Sequence, residues 1–112
     1  MKISTQLRYD VPPAEVTKQA VELEAAGLDL IWVAEAYGVD AVSIMGYLAA
    51  VTERVEIASG ILPLYTRTPT LLAMTAAGVD ALSGGRCVLG LGASGPQVIE
   101  GFHGVPYDKP LT

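Results

Sequence analysis

Short apolar runs alternate along the chain with stretches whose apolar residues recur every three to four positions, a pattern that predicts strands and helices in strict turn. Ile3 to Leu7 reads as a first strand. Pro12 and Pro13 then open a helix whose apolar positions Val16, Ala20 and Leu23 follow i, i+4, i+7 spacing until Gly27 ends it. Leu28 to Ala34 is nearly continuous apolar sequence, as a strand covered on both faces of a parallel sheet requires. Asp40 offers a cap to a second helix, Ala41 to Val51, with Ile44, Leu48 and Val51 on one face. Val55 to Ala58 makes a third strand. Thr68 followed by Pro69 signals a third helix that carries Leu72, Ala76 and Val79, and Ser83-Gly84-Gly85 stops it. Arg86 to Leu89 forms a fourth strand, and Pro96 to Glu100 a short helix before a tail rich in Gly and Pro.

Strand starts near positions 3, 29, 55 and 86 recur at about the interval expected when a barrel of roughly 250 residues is divided into eight βα units. No sequence repeat accompanies this architectural period. Four strands cannot close such a barrel, so residues 1–112 are expected to form one partial domain of α/β class, the N-terminal half of a (β/α)8 barrel with about four βα units, whose C-terminal half is absent. A doubly wound sheet is the alternative. Half a barrel exposes the edges of its first and fourth strands, which invites pairing with a second copy and predicts a homo-oligomer.

Composition narrows the partners. With 51% hydrophobic and 17% charged residues, the chain has the makings of elements buried on more than one side. A net charge of -5 with its basic residues scattered argues against nucleic acid, which needs Lys and Arg gathered in a patch. No apolar run reaches the roughly 18 residues that cross a bilayer, and Met1-Lys2-Ile3 leads directly into a strand, so the expected location is the cytoplasm with no membrane partner. Cys87, the single cysteine, reads as a small buried hydrophobe, and His103 has no Cys or His at ligand spacing, so no metal site is expected.

Chemistry in such folds gathers at the carboxyl ends of the strands. The exits here hold Gln6 or Arg8, then Glu35, then Ser59-Gly60-Ile61, then Gly92-Ala93-Ser94. Glycine at a strand exit lets main chain approach a flat ligand, because no Cβ holds it off; Gly60 and Pro63 would serve equally as simple turn formers. Glu35 can hydrogen-bond a cofactor, act as a proton donor if burial raises its pKa, or cap and pair within the loop. Trp32 reads as core and Tyr37 as either a ring-stacking or a loop-anchoring residue. Arg67 is either a binder of phosphate or carboxylate or a solvated loop charge, and His103 either a loop histidine or a substrate-side acid or base. Gly90, Gly92 and Gly95 satisfy G-x-G-x-x-G, which leaves open a dinucleotide fingerprint, a cofactor-lining turn at the barrel mouth or a plain structural turn.

Taken in order, Trp32-Val33-Ala34-Glu35-Ala36-Tyr37, then Ala58-Ser59-Gly60-Ile61-Leu62-Pro63-Leu64-Tyr65-Thr66-Arg67-Thr68-Pro69, then Gly84-Gly85-Arg86 and Gly90 to Pro96, resemble the bacterial-luciferase-like family. The branch most similar is that of deazaflavin (coenzyme F420)-dependent oxidoreductases, including methylene-tetrahydromethanopterin reductase. The resemblance implies a non-prolyl cis bond between Gly60 and Ile61, in a bulge that backs the tricyclic ring with Ser59, Gly60 and Ile61. It implies Glu35 beside that ring, as a catalytic and cofactor-binding residue, and Gly92, Ala93 and Ser94 along the far edge of the pocket. Several relatives carry a histidine where this chain has Ala36, and the cofactor phosphate is held in the later half of such barrels.

The function this resemblance implies is hydride transfer between F420 and a small organic substrate. FMN-dependent monooxygenation is the alternative enzyme, and a truncated, inactive fragment the alternative of another class.

Overall fold

The computed structural model describes all residues except Tyr9, Leu111 and Thr112, so the last two positions of the predicted tail lie outside the described residues. Strand β1 (Ser4–Gln6) leads to helix α1 (Pro13–Ala25), β2 (Leu30–Val33), α2 (Ala41–Val51), β3 (Glu56–Ser59), β4 (Leu62–Pro63), α3 (Pro69–Ser83), β5 (Cys87–Val88) and β6 (Leu91–Gly92). A short π-helix, Gln97–Phe102, follows. It begins one residue later and runs two residues further than the Pro96–Glu100 helix the sequence predicts.

The helix signals act as their chemistry demands. The Asp40 carboxylate accepts from the Ser43 amide at 2.9 Å at the head of α2, and the Thr68 hydroxyl accepts from the Leu71 amide at 3.2 Å at the head of α3. Gly84 closes α3 at φ 69°, in the left-handed region that glycine enters without penalty.

β1, β2, β3 and β5 pair in parallel and in sequence order, with Ser4 opposite Leu30, Ile31 opposite Ile57 and Ile57 opposite Cys87. Right-handed crossovers that always step the same way put every helix on one face. The core shows it: Ile31, Val33 and Ile57 pack with Val16 and Ala20 of α1, Met45 and Leu48 of α2, and Leu72 and Val79 of α3. A doubly wound sheet reverses its strand order and covers both faces, so that alternative is excluded. The sheet is the first half of a (β/α)8 barrel.

The register aligns Gln6, Trp32, Ala58 and Val88 across the sheet. These residues alternate with the helix-facing ones and so form the lumenal row. Trp32, expected in the core, is instead half-buried on this lumenal side, while its neighbours Ile31 and Val33 take the core positions.

Two features at the opposite end fasten the layers. Glu24 accepts from the amides of Glu53, Arg54 and Val55 at 2.7 to 3.1 Å. Arg86 donates to the carbonyls of Ala49, Thr52, Val55 and Ser83 and to the Thr52 hydroxyl at 2.6 to 3.1 Å, tying the end of α2, the start of β3 and the end of α3.

Candidate cofactor site at the strand exits

Beyond β3 the chain makes a bulge that the sequence leaves without secondary structure and that here builds a second, two-stranded sheet. Leu62 pairs with Leu91 and Pro63 with Gly92 in parallel, β4 against β6. The Leu62 and Leu64 amides donate to the Gly90 and Gly92 carbonyls at 2.9 Å each. Pro63, lacking an amide hydrogen, sits between these two donors, where the ladder asks nothing of it. Within the bulge the Gly60–Ile61 peptide bond is cis, as the family resemblance implies.

Three glycines make the crossing of these segments possible. A Cβ on Gly90 would stand 2.0 Å from the Ser59 carbonyl oxygen, and one on Gly92 would stand 2.2 Å from Ile61 Cδ1. A Cβ on Gly60 would meet Trp32 Cε3 at 3.2 Å, so bare main chain lies directly over the lumenal indole. Gly90 and Gly92 therefore answer to close packing of protein on protein, the structural-turn reading of the glycine motif, with Ala93 and Ser94 half-buried beside them.

Ser59 has no exposed surface. Its hydroxyl accepts from the Gly90 amide and donates to the Gly90 carbonyl, both at 2.8 Å, so one side chain stands in for a rung between β3 and the end of β5. The surface of the bulge open to a ligand is that of Gly60 and Ile61, both half-buried, rather than that of Ser59.

Glu35 leaves β2 at the rim, and its carboxylate is already engaged. Arg67 clamps it through Nη1 to Oε1 at 2.6 Å and Nη2 to Oε2 at 2.9 Å, and the Ala41 amide at the head of α2 donates to Oε2 at 2.7 Å. The two side chains are 7% and 12% exposed, Glu35 and Arg67 respectively. Burial pushes the Glu35 carboxyl up, but the Arg67 guanidinium and the Ala41 amide outweigh it and hold the group below the usual carboxylate range. The condition for a proton-donor role, a raised pKa, is thus not met; the capping and ion-pair role is the one the structure displays. Arg67, too, is no solvated loop charge. The carboxylate it binds is internal.

A cavity of about 280 Å³ adjoins this pair, lined by Glu35, Asp40, Arg67, Phe102 and His103 among others. His103 is exposed, its ring 5.1 Å from that of Phe102, and the exposed Tyr37 packs edge-on with Phe102 at 5.6 Å, as a loop anchor. A larger cleft of about 480 Å³ lies at the opposite end, between Lys2, Glu24, Asp29, Arg54 and Glu56. That end of such a fold serves stability, so the rim is the candidate site.

The sequence places Glu35, Gly60, Ile61, Gly92, Ala93 and Ser94 at strand exits, and the structure brings the last five into one bulge-and-crossing unit, with Glu35 across the rim on Arg67. The pairing of Arg67 with Glu35 goes beyond what the sequence predicts, as do Tyr65 and Tyr107, whose rings lie 4.9 Å apart over the same rim. An acidic and a basic residue at neighbouring strand exits were the signal for the first. For the tyrosines there was none, since their pairing depends on the path of the tail.

A parallel half-barrel whose strand exits are crossed by a second, two-stranded sheet places the chain in the α/β-barrel class. The family model described as luciferase-like monooxygenase matches residues 1–112, and the chain belongs to that family. A Mycobacterium tuberculosis protein provisionally named a coenzyme F420-dependent oxidoreductase is 43% identical over all of this chain and 33% of its own length. The 5,10-methylenetetrahydromethanopterin reductase of Methanolobus tindarius is 30% identical over 90% of the chain and 31% of its own length. The chain thus spans about a third of the length of these relatives. Among solved structures, the F420-dependent tetrahydromethanopterin reductase of Methanopyrus kandleri superposes with a TM-score of 0.77 at 24% identity, over 95% of this chain and 30% of the other. The monooxygenase RslO1 of Streptomyces bottropensis does so with a TM-score of 0.74 at 26% identity, over 92% and 36%.

Proposed function

We propose that this chain is the N-terminal part of an F420-dependent oxidoreductase, in which the deazaflavin ring rests on Gly60 and Ile61 and meets Gly92, Ala93 and Ser94 along one edge. The observation that carries this reading is the bare main chain of Gly60 over Trp32, joined with the F420 dependence in the name of a relative 43% identical over the whole chain. The half-buried lumenal residues beneath, Trp32 and Val88, are uncharged and suit an apolar ring face. When bound, the deazaflavin supplies the carbon that accepts or gives hydride. The chain's own residues give the ring a wall and keep it in one place: Ser59 fastens Gly90, and Gly90 and Gly92 fasten the bulge. Glu35 stays ionised on Arg67 and works as a strut between the rim and α2, so proton delivery falls to another group or to substrate.

The partner is a small organic molecule, and the expected setting is a homo-oligomer in the cytoplasm. Among the described residues no helix is long and apolar enough to cross a membrane. A second reading, FMN-dependent monooxygenation, draws on the description of the family model and on the likeness to RslO1.

Fluorescence titration of full-length protein with F420 and, separately, with FMN distinguishes the two. Saturable binding of F420 with no tight binding of FMN is the expected result. The reverse order would assign the flavin chemistry instead, and binding of neither would return the chain to the inactive class.

A further inference from the structure

The tail beyond the π-helix doubles back across the strand exits and is held there by aromatic and polar contacts. Tyr107 donates its amide to Glu100 Oε1 at 2.9 Å, and its ring lies 4.9 Å from that of Tyr65. Tyr65 in turn donates its hydroxyl to the Asp108 carbonyl at 2.6 Å. Fixed at its backbone and along its ring, Tyr107 delivers its own hydroxyl to the Ser94 carbonyl, 3.1 Å away.

Ser94 needs that support. Its φ is 60°, a left-handed conformation that a side chain with a Cβ disfavours and that, among the described residues, only Lys109 shares outside glycine. The segment around it is anchored at both ends: the Gly92 carbonyl accepts from Leu64 at 2.9 Å, and the Gly95 carbonyl accepts from Val98 and Ile99 at 3.1 and 2.9 Å. Between those anchors, the Tyr107 hydroxyl fixes the Ser94 peptide.

We infer that Tyr107 is a positioning residue for the cofactor: by holding the Ser94 carbonyl it keeps residue 94 left-handed, and so sets the shape of the Ala93–Ser94 edge that the ring meets. This rests on the ring-edge reading of Gly92–Ser94 given above. A glycine at 94 would enter the same conformation without help. The tail is therefore a distant determinant of ring affinity through one hydrogen bond.

The test uses Tyr107→Phe, Ser94→Gly and the double variant in full-length protein, read by F420 titration and by amide hydrogen exchange over residues 91–98 without cofactor. Tyr107→Phe is expected to weaken F420 binding by about 3- to 10-fold, the worth of one hydrogen bond, and to speed exchange in that segment. Ser94→Gly alone, a change at the ring edge itself, sets the reference affinity. In its presence Tyr107→Phe is expected to change affinity by no more than about twofold, which a merely structural role for the tyrosine would not allow. Unchanged exchange in Tyr107→Phe overturns the inference whatever the cofactor does; unchanged affinity, or a loss of the same size in the Ser94→Gly background, overturns it as well. Faster exchange in a protein whose wild type takes neither F420 nor FMN upholds the Tyr107–Ser94 hold and removes the cofactor reading instead.

Discussion

Glu35 and Arg67, which lie 32 residues apart in sequence, meet at the rim in a two-pronged ion pair that also reaches the first amide of α2. Arginine suits this place because its planar fork matches a carboxylate through two parallel bonds, which lysine cannot do. Removing one partner leaves the other charge shielded from water. Glu35→Gln is expected to cost about 3 kcal/mol of stability, the scale found when a buried pair is broken, and to lower the melting temperature by roughly 10 °C. Thermal denaturation at pH 7 checks it; a shift of less than about 2 °C would show that the pair is ornamental.

The same pair carries a pH dependence of definite sign. The folded-state pKa of Glu35 is depressed below its ordinary, unfolded-chain value. The unfolded chain therefore takes up its proton first as pH falls. The contribution to stability is fully present above that unfolded value and is lost as pH drops through the lower, folded one. Denaturant titrations of wild type and Glu35→Gln at a series of pH values between neutrality and about 3 should show the gap between them closing only in the acid range. A gap of constant size would contradict the depressed pKa. Glu24 and Asp40 are depressed as well, so the difference between the two proteins, not the wild-type curve alone, isolates Glu35.

At Gly90 the approach of the Ser59 carbonyl leaves no room for a methyl group. Gly90→Ala must push two backbones apart and is expected to destabilise the fold by several kcal/mol or to prevent its recovery as soluble protein. Ser59→Ala, which removes only the hydroxyl bridge and takes the partner from the Gly90 amide while the Gly90 carbonyl keeps the Leu62 amide, is expected to cost about 1 to 3 kcal/mol. Equal and small effects in urea unfolding would mean that this crossing is looser than its distances imply.

Gly60 differs, since the nearest atom to an added Cβ belongs to the Trp32 ring at 3.2 Å, and its φ is one that any residue adopts. Gly60→Ala should cost about 1 to 3 kcal/mol as the indole gives way. Gly60→Val, whose Cβ would press on the Trp32 ring, must lift the bulge off the indole and so move the wall on which the ring is proposed to rest, reducing F420 affinity along with melting temperature. Equal affinity in wild type and the valine variant would remove Gly60 from the site.

Cys87 is half-buried against the core, and burial together with the neighbouring Asp80 pushes its thiol up, so it stays protonated at neutral pH. A colorimetric thiol reagent should modify it slowly in folded protein and at once after unfolding. Rapid labelling of the native state would place it outside the core.

Much of the fold is legible in the sequence because the local signals agree with the global one. Pro at the head of α1 and α3, Asp40 and Thr68 as caps and the apolar run through Ile31 and Val33 each point to a single structure. The strand starts give the barrel, and the sequential pairing that rules out a doubly wound sheet needs coordinates. What the sequence hides is non-local. β4 and β6 are two residues each and exist only through pairing with one another, so no period marks them. The hydroxyl of Ser59 is engaged by Gly90, 31 residues away, which turns a presumed ligand contact into a fastening. Glu35 shows the same limit: its place at the rim follows from the strand it ends, but its charge state depends on an arginine from the next unit.

The central claim is that a deazaflavin lies against the main chain of Gly60 and Ile61, and a crystal structure of the full-length protein with F420 bound tests it most directly. Ring atoms are expected within about 4 Å of the Gly60 and Ile61 backbone, with Ala93 and Ser94 along one edge. A ring seated elsewhere in the barrel, with that bulge covered by protein, would contradict it.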